Sequence, residues 1–326
     1  MQPQKNNGGH ITFSNKPKLS EHDIQKDFNE RRIGLVPQIE YFLSNHDFFK
    51  TKQVNVTFKD KGVGSLVCIL ETTEEKLVLK IPLSKTFSEG EGLFLKVWEK
   101  VGVKVPNIIE EGKITEYSYI LMEFINAPLL SEKYSSDEMI EKGIDLEVGK
   151  VLNMMHQPHA EGYGHVINGK AQYVTFQEWL NDKKLKEAIS YVQENKLLGS
   201  EHGSLSIALK LLTEHANNNQ SSYCHFDYGS SNIFATDPIT VFDPNPQFNN
   251  GYLDLGLSVF NCISAGVSPK QLITGYFGNK PFNEKVLHAS VLLNSYIKLP
   301  SRHMKGKSEH IKNIQDYLSK NTHFLI

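Results

Sequence analysis

Residues 223–234 read YCHFDYGSSNIF, and residues 241–244 read VFDP. The runs Asn232-Ile233-Phe234-Ala235 and Ile239-Thr240-Val241-Phe242 are apolar and β-prone, and Thr236-Asp237-Pro238 between them is turn chemistry. This pattern predicts a short β-hairpin. Antiparallel pairing sets Asn232 beside Asp243 at its open end, and Asp227, five residues before Asn232, lies in the loop feeding that end. Two carboxylates and an amide oxygen converging on one volume suit a hard divalent cation such as Mg²⁺, which leaves its other positions to water and phosphates. The stretch therefore predicts a magnesium-nucleotide site.

The surrounding chain limits the alternatives. A length of 326 residues with 39% hydrophobic and 22% charged content predicts a globular protein of two domains or lobes. A formal net charge of -2 without a long basic run argues against a nucleic-acid partner. Cys68, Cys224 and Cys262 are three widely spaced thiols without a CxxC pair, which fits a reducing, cytoplasmic setting. No run of 18 apolar residues occurs and the N-terminus lacks an apolar signal core, so neither membrane insertion nor export is expected.

Outward from the hairpin, residues 1–18 are polar and aperiodic and are expected to form a flexible tail. Ser20 with Asp23 resembles a capping box for a short helix, and Val36 to Leu43 supplies a second. Val54–Phe58, Ser65–Glu71 and Lys76–Ile81 read as an antiparallel meander. A helix from about Glu89 to Val101 and strands at Ile108–Ile114 and Tyr117–Phe124 follow. Beyond residue 126 the pattern is mainly helical: Ile144, Val148, Val151, Leu152 and Met155 form an apolar stripe, with further helices expected at 175–196, 203–217, 253–264, 268–276 and two between 283 and 326. The expected division is a nucleotide-binding lobe over 19–125 and a catalytic and substrate lobe over 126–326.

Several residues in the first lobe match phosphate chemistry. A loop at Gly62-Val63-Gly64-Ser65 lets backbone N–H groups approach a phosphate, and Lys80, ending a strand, supplies a point charge to it. Taken alone, each reads as an ordinary hairpin turn and a solvated strand-end lysine. Glu91 borders the apolar helix face of Leu95 and Trp98 and can pair with Lys80, with Glu89 the competing partner. The segment Met122-Glu123-Phe124-Ile125, if it joins two lobes, offers backbone groups to a flat heterocycle. His156, His159 and His165 lack a metal-ligand spacing and read as ordinary loop or helix-end histidines.

The order VLK, MEF, HxDxxxxN, hairpin and FD resembles the protein-kinase-like superfamily. Within it, HFDYGSSNIF with VFDPNPQFNNGYLDLG, and MMHQPHAEGYGHV with YVTFQEWL, are similar to the aminoglycoside phosphotransferase family, hygromycin-type members in particular, over residues 50–270. The resemblance implies an α+β, bilobal, protein-kinase-like fold with a small N-terminal antiparallel β-sheet lobe and a larger, mainly helical C-terminal lobe. It implies a kinase moving the γ-phosphoryl group of ATP or GTP to a small-molecule hydroxyl. Asp227 would be the base, Asn232 and Asp243 the Mg²⁺ ligands, Lys80 the phosphate lysine and Glu91 its partner. Gly62, Gly64 and Ser65 would lie at the phosphates, and Glu123, Phe124 and Ile125 at the base. Asp254 and His225 would be structural. Phe226 stands where protein kinases carry the arginine of HRD, and Asp254 follows Asp243 by only eleven positions, too few for an activation loop; a protein substrate is disfavoured.

For the acceptor, residues 134–201 carry eleven acids against seven lysines, which favours a cationic aminoglycoside, with Glu178 and Asp182 as candidate contacts at i and i+4 on one helix. Residues 264–326 carry nine Lys or Arg against three acids, which weakens that assignment. A choline-like amine, a sugar, or a nucleotide-binding pseudokinase role are the alternatives.

Overall fold

The computed structural model describes residues 11–19, 23–59, 64–83, 90–167, 169–199 and 204–321. The chain divides into two compact units: residues up to Gly92 with Pro106–Asn126, and Leu93–Val105 with Ala127 onward.

Among the described residues the first unit is a six-stranded sheet carrying one long helix. Its strands are β1 (Ile11–Phe13), β2 (Val54–Phe58), β3 (Ser65–Glu71), β4 (Lys76–Pro82), β5 (Ile108–Ile114) and β6 (Tyr117–Glu123), in the order β1-β2-β3-β4-β6-β5. All neighbours are antiparallel except β1 and β2. Alternating burial along β2 and β3 turns Val54, Val56, Phe58, Leu66, Cys68 and Leu70 into the core, the period of two expected of a half-buried strand. Helix α1 (Asp23–Asn45) covers that face with Leu35, Ile39 and Leu43, one residue per turn.

Two expectations are corrected in this unit. Residues 11–18, expected within a tail, include strand β1, held by the stacking of Phe13 on Phe58 at 5.7 Å and by Asn15, whose side chain bonds both the N–H and the carbonyl of Phe58. A polar side chain here completes the sheet edge, and hydropathy does not reveal it. The remainder of the expected tail, residues 1–10, and Ser20 of the capping box lie outside the described residues. The two short helices are one, continuing through Pro37 because its buried stripe continues on both sides.

The second unit contains helices α2 (Glu91–Lys100, entering it from Leu93), α3 (Leu130–Lys133), α4 (Ser136–Glu141), α5 (Ile144–Met155), α6 (Phe176–Leu180), α7 (Lys183–Glu194), α8 (Ser204–Asn218), α9 (Gly251–Ser264), α10 (Lys270–Phe277), α11 (Glu284–Met304) and α12 (Ser308–Asn321). Among them lies a five-stranded sheet that the helical reading did not anticipate: β7 (His159–Ala160), β8 (Tyr163–Ile167), β9 (Lys170–Tyr173), β10 (Ser221–Cys224) and β13 (Gln247–Asn249), ordered β7-β10-β13-β8-β9. His159 and His165 therefore sit in strands, not loops, because β7 and β8 find partners in β10 and β13 across more than fifty residues of sequence. The hairpin is β11 (Ile233–Phe234) with β12 (Thr240–Val241).

The expected helix 175–196 is two helices, since Asp182 accepts the N–H groups of Lys184 and Leu185 as the N-cap of α7 and so ends the preceding turn. Helices α5 and α10 touch backbone to backbone: a Cβ on Gly149 would lie 2.1 Å from the Leu272 carbonyl oxygen, and one on Gly275 would lie 2.1 Å from that of Leu146. Among the described residues no helix is long and apolar enough to cross a membrane.

Candidate active site

Strand β10 delivers His225, Phe226 and Asp227 at its end, and one buried carboxylate holds them. Asp254, in the first turns of α9, accepts the N–H groups of His225 at 2.5 Å and Phe226 at 2.8 Å, while the His156 ring bonds the same carboxylate at 3.0 Å. Phe226 has φ +51°, a left-handed conformation that a bulky residue adopts only where its surroundings impose it. Burial by itself would raise the pKa of Asp254, yet the bond and charge of His156, the nearby His225 ring and the amide bond keep it below the ordinary carboxylate value.

His225 is fully buried and stacked on Trp98 with ring centroids 5.7 Å apart. Its Nδ1 accepts the N–H of Asp227 at 3.3 Å, so Nε2 carries the proton and donates to the Phe242 carbonyl at 3.1 Å. Burial lowers its pKa despite the opposing charges of Asp254, Asp227 and Asp243, and the ring acts as a neutral brace. Trp98 in turn donates to the carbonyl of Met155 at 3.1 Å. Trp98 stood out in the sequence only as part of an apolar helix face.

Asp227 itself is exposed. The amide nitrogen of Asn232 donates to its backbone oxygen at 2.7 Å and to its Oδ2 at 2.9 Å, which leaves Asn232 only its carbonyl oxygen to offer elsewhere. In the hairpin Ile233 pairs with Val241 and Phe234 with Thr240, and the Phe242 N–H donates to the backbone carbonyl of Asn232 at 3.2 Å. Asp243 follows directly, with φ +54°. Register thus brings Asp227, Asn232 and Asp243 to one end of the hairpin. The donor set is made of hard oxygens and fits Mg²⁺.

A second cluster, His156, Cys224 and Asp254, has ligand atoms within 4.8 Å of one another. These groups are engaged with each other and the fold. His156 Nδ1 bonds the Tyr276 hydroxyl at 2.8 Å, the Cys224 thiol donates to the Asn249 carbonyl at 3.4 Å, and burial pushes that thiol's pKa well up. It is a structural network.

In the first unit, Lys80 Nζ lies 2.5 Å from Glu91 Oε2, and both side chains are buried. Ser65 opens β3, and Gly64 just before it accepts the N–H of Leu83 on its carbonyl. Gly62 and Glu89 lie outside the described residues. Glu123 ends β6 and exchanges bonds with Asn107, accepting its N–H on Oε2 at 3.2 Å and donating its own N–H to the Asn107 carbonyl at 2.9 Å. Phe124 and Ile125 follow, half-buried.

Glu178 and Asp182 do not share a helix face. Glu178 accepts the N–H groups of Val174 and Thr175 in a capping box, and Asp182 caps α7 and accepts the Tyr173 hydroxyl at 2.5 Å. Sequence reading passed over Lys298, on α11 one turn beyond Asn294, whose amide donates to the Leu253 carbonyl at 2.9 Å. Lys298 is half-buried and, among the described residues, has no hydrogen-bond or ion-pair partner. Burial lowers its pKa; the charge of Asp227 opposes this, Arg302 adds to it, and Asp254 opposes it more weakly.

No protein-family profile and no curated protein matches the chain. Solved structures do. Aminoglycoside phosphotransferase APH(4)-Ia is 15% identical with a TM-score of 0.58, the match covering 88% of this chain and 98% of that one. A thermostable mutant of it in ternary complex with AMP-PNP and hygromycin B matches at 14% identity and TM-score 0.58, with the same coverage. A choline/ethanolamine kinase family protein from Mesorhizobium loti is 14% identical with a TM-score of 0.54, covering 86% of this chain and 99% of that one. At these identities the likeness defines the fold, the α+β protein-kinase-like fold that the motifs imply.

Proposed function

We propose that this chain, having the fold of the small-molecule kinases, is itself one: a phosphotransferase moving the γ-phosphoryl group of ATP to a hydroxyl of a small acceptor. The observation that carries the reading is the Asp227–Asn232 pair, braced by Asp254 and His225 and set beside Asp243 by the hairpin register. Adenine nucleotide is the proposed donor because a structure of the same fold holds AMP-PNP.

In the second unit, the exposed Asp227 carboxylate orients the acceptor hydroxyl and accepts its proton as the oxygen bonds to the γ-phosphorus and ADP leaves. Asn232 keeps that carboxylate in place through its amide, and its oxygen together with the Asp243 carboxylate would hold Mg²⁺. A bound Mg²⁺ supplies charge neutralisation at the phosphates. In the first unit, Glu91 fixes the Lys80 ammonium as a phosphate contact, Gly64 and Ser65 supply backbone near it, and the Glu123–Ile125 backbone serves the adenine.

The finer reading, an aminoglycoside acceptor, draws on the likeness to APH(4)-Ia and on the acidic balance of residues 134–201. Its proposed contacts, Glu178 and Asp182, would have to act while capping helices.

Asp227→Asn tests the chemistry. The variant is expected to bind Mg-ATP and to lose about 10²- to 10⁴-fold in phosphoryl transfer, the usual scale of a general base. Turnover equal to wild type at saturating acceptor removes Asp227 from the mechanism. Absence of both ATP binding and ATP turnover in the wild-type chain defeats the kinase reading.

A further inference from the structure

A half-buried ammonium loses hydration, and a protein normally returns that energy with a carboxylate or a row of acceptors. Lys298 has neither. The helix dipole does not explain it. That field acts within the last turn, where Arg302 and His303 sit, whereas Lys298 lies six residues before the end of α11 at Met304. Its own helix brings no counter-charge close to it: the one acid of α11, Glu284, stands at the opposite end of the helix, and from Lys285 through Ser308 the chain has five Lys or Arg and no acid. Arg302, four residues on, places a second, half-buried cation on the same face of α11, an arrangement that by itself is mildly repulsive. The carboxylate whose charge Lys298 feels most is Asp227. Lys298, within reach of the charge of the proposed reacting carboxylate, and Arg302, one turn further along α11, form an incomplete pair of contacts, and the missing part has the chemistry of an anion.

We propose that Lys298 and Arg302 bind an anionic group, a carboxylate or phosphate, belonging to the acceptor, so that the acceptor presents its hydroxyl to Asp227 while its negative charge rests on α11. The assignment rests on the kinase reading of Asp227 and deepens it, because it names an anionic hydroxy compound rather than a polycation as substrate class. The capping roles of Glu178 and Asp182 agree with it, since those carboxylates already serve backbone N–H groups. Lys298 and Arg302 act here as specificity residues.

The test uses the full chain with Mg²⁺, titrated calorimetrically with glycerate, phosphoglycerate, glycerol and choline, each with and without AMP-PNP. Glycerate and phosphoglycerate are expected to bind, and glycerol and choline to bind at least tenfold more weakly. Lys298→Met is expected to weaken the two anions by about tenfold to a hundredfold, the value of one charge-assisted contact. Arg302→Gln weakens them less, and Lys298→Arg, which keeps the charge, retains the preference and controls for misfolding. Failure of both anions to bind, choline or glycerol binding as tightly as they do, or equal anion affinity in Lys298→Met overturns the proposal. An equal loss of AMP-PNP affinity in Lys298→Met also overturns it, by assigning the lysine to the donor phosphates. Lysine-dependent anion binding in a chain that does not bind AMP-PNP leaves the anion site standing and defeats the kinase reading instead.

Discussion

Replacing Asp254 by Asn isolates the group that holds the loop bearing Asp227. In the native chain, Oδ2 accepts from the His225 N–H and from His156 Nε2, and Oδ1 accepts from the Phe226 N–H. An asparagine keeps one carbonyl oxygen. With that oxygen turned to the first two donors, its amide faces the N–H of Phe226, donor against donor. One bond is lost, a buried N–H is left unsatisfied, and the other two bonds lose their ionic character. At about 1.5–3 kcal/mol for a bond to a charged group plus about 1–3 kcal/mol for the orphaned donor, the variant is expected to lose ~3–5 kcal/mol, the range for removing one partner of a buried charged pair.

A pH signature accompanies that loss. The pKa of Asp254 is lower folded than unfolded, so its contribution is fully present above the unfolded carboxylate value of about 3.9 and disappears as pH falls through the lower native value. Urea titrations from pH 7 down to about pH 2 measure both effects. The wild-type acid limb should contain a component that Asp254→Asn lacks, and activity should fall with the release of the left-handed Phe226. A variant within about 0.5 kcal/mol of wild type with an unchanged acid limb would refute the claim that this carboxylate holds the loop.

Asp243→Ala is expected to weaken Mg²⁺-dependent nucleotide binding more than Asn232→Ala, because a formal charge is lost; nucleotide titrations at several Mg²⁺ concentrations decide it, and no change in either variant removes the hairpin end as the cation site. Gly149→Ala forces α5 away from the Leu272 carbonyl and is expected to cost about 1–3 kcal/mol in urea unfolding, where a helix-propensity gain alone would stabilise the chain.

Local and near-local signals were sufficient for much of this molecule. The strands Val54–Phe58, Ser65–Glu71 and Ile108–Ile114 have their sequence-read bounds because alternating burial is written residue by residue. The hairpin needed only two short apolar runs and a turn, and its register alone sets Asn232 next to the residue preceding Asp243. Other features depend on partners far away in sequence. Strand β7, two residues long, is too short to declare itself, and β7 and β8 exist as sheet strands because β10 and β13 present edges to them. Asp182 reads as a mid-helix acid until its side chain is seen capping α7. His156 reads as an ordinary helix end, and only the approach of α9 and α10 makes it the partner of Asp254 and Tyr276. Lys298 carries no motif at all. What singles it out is a half-buried charge within reach of Asp227 with no ion-pair partner among the described residues, a property of the surroundings that tertiary packing creates and no run of residues encodes.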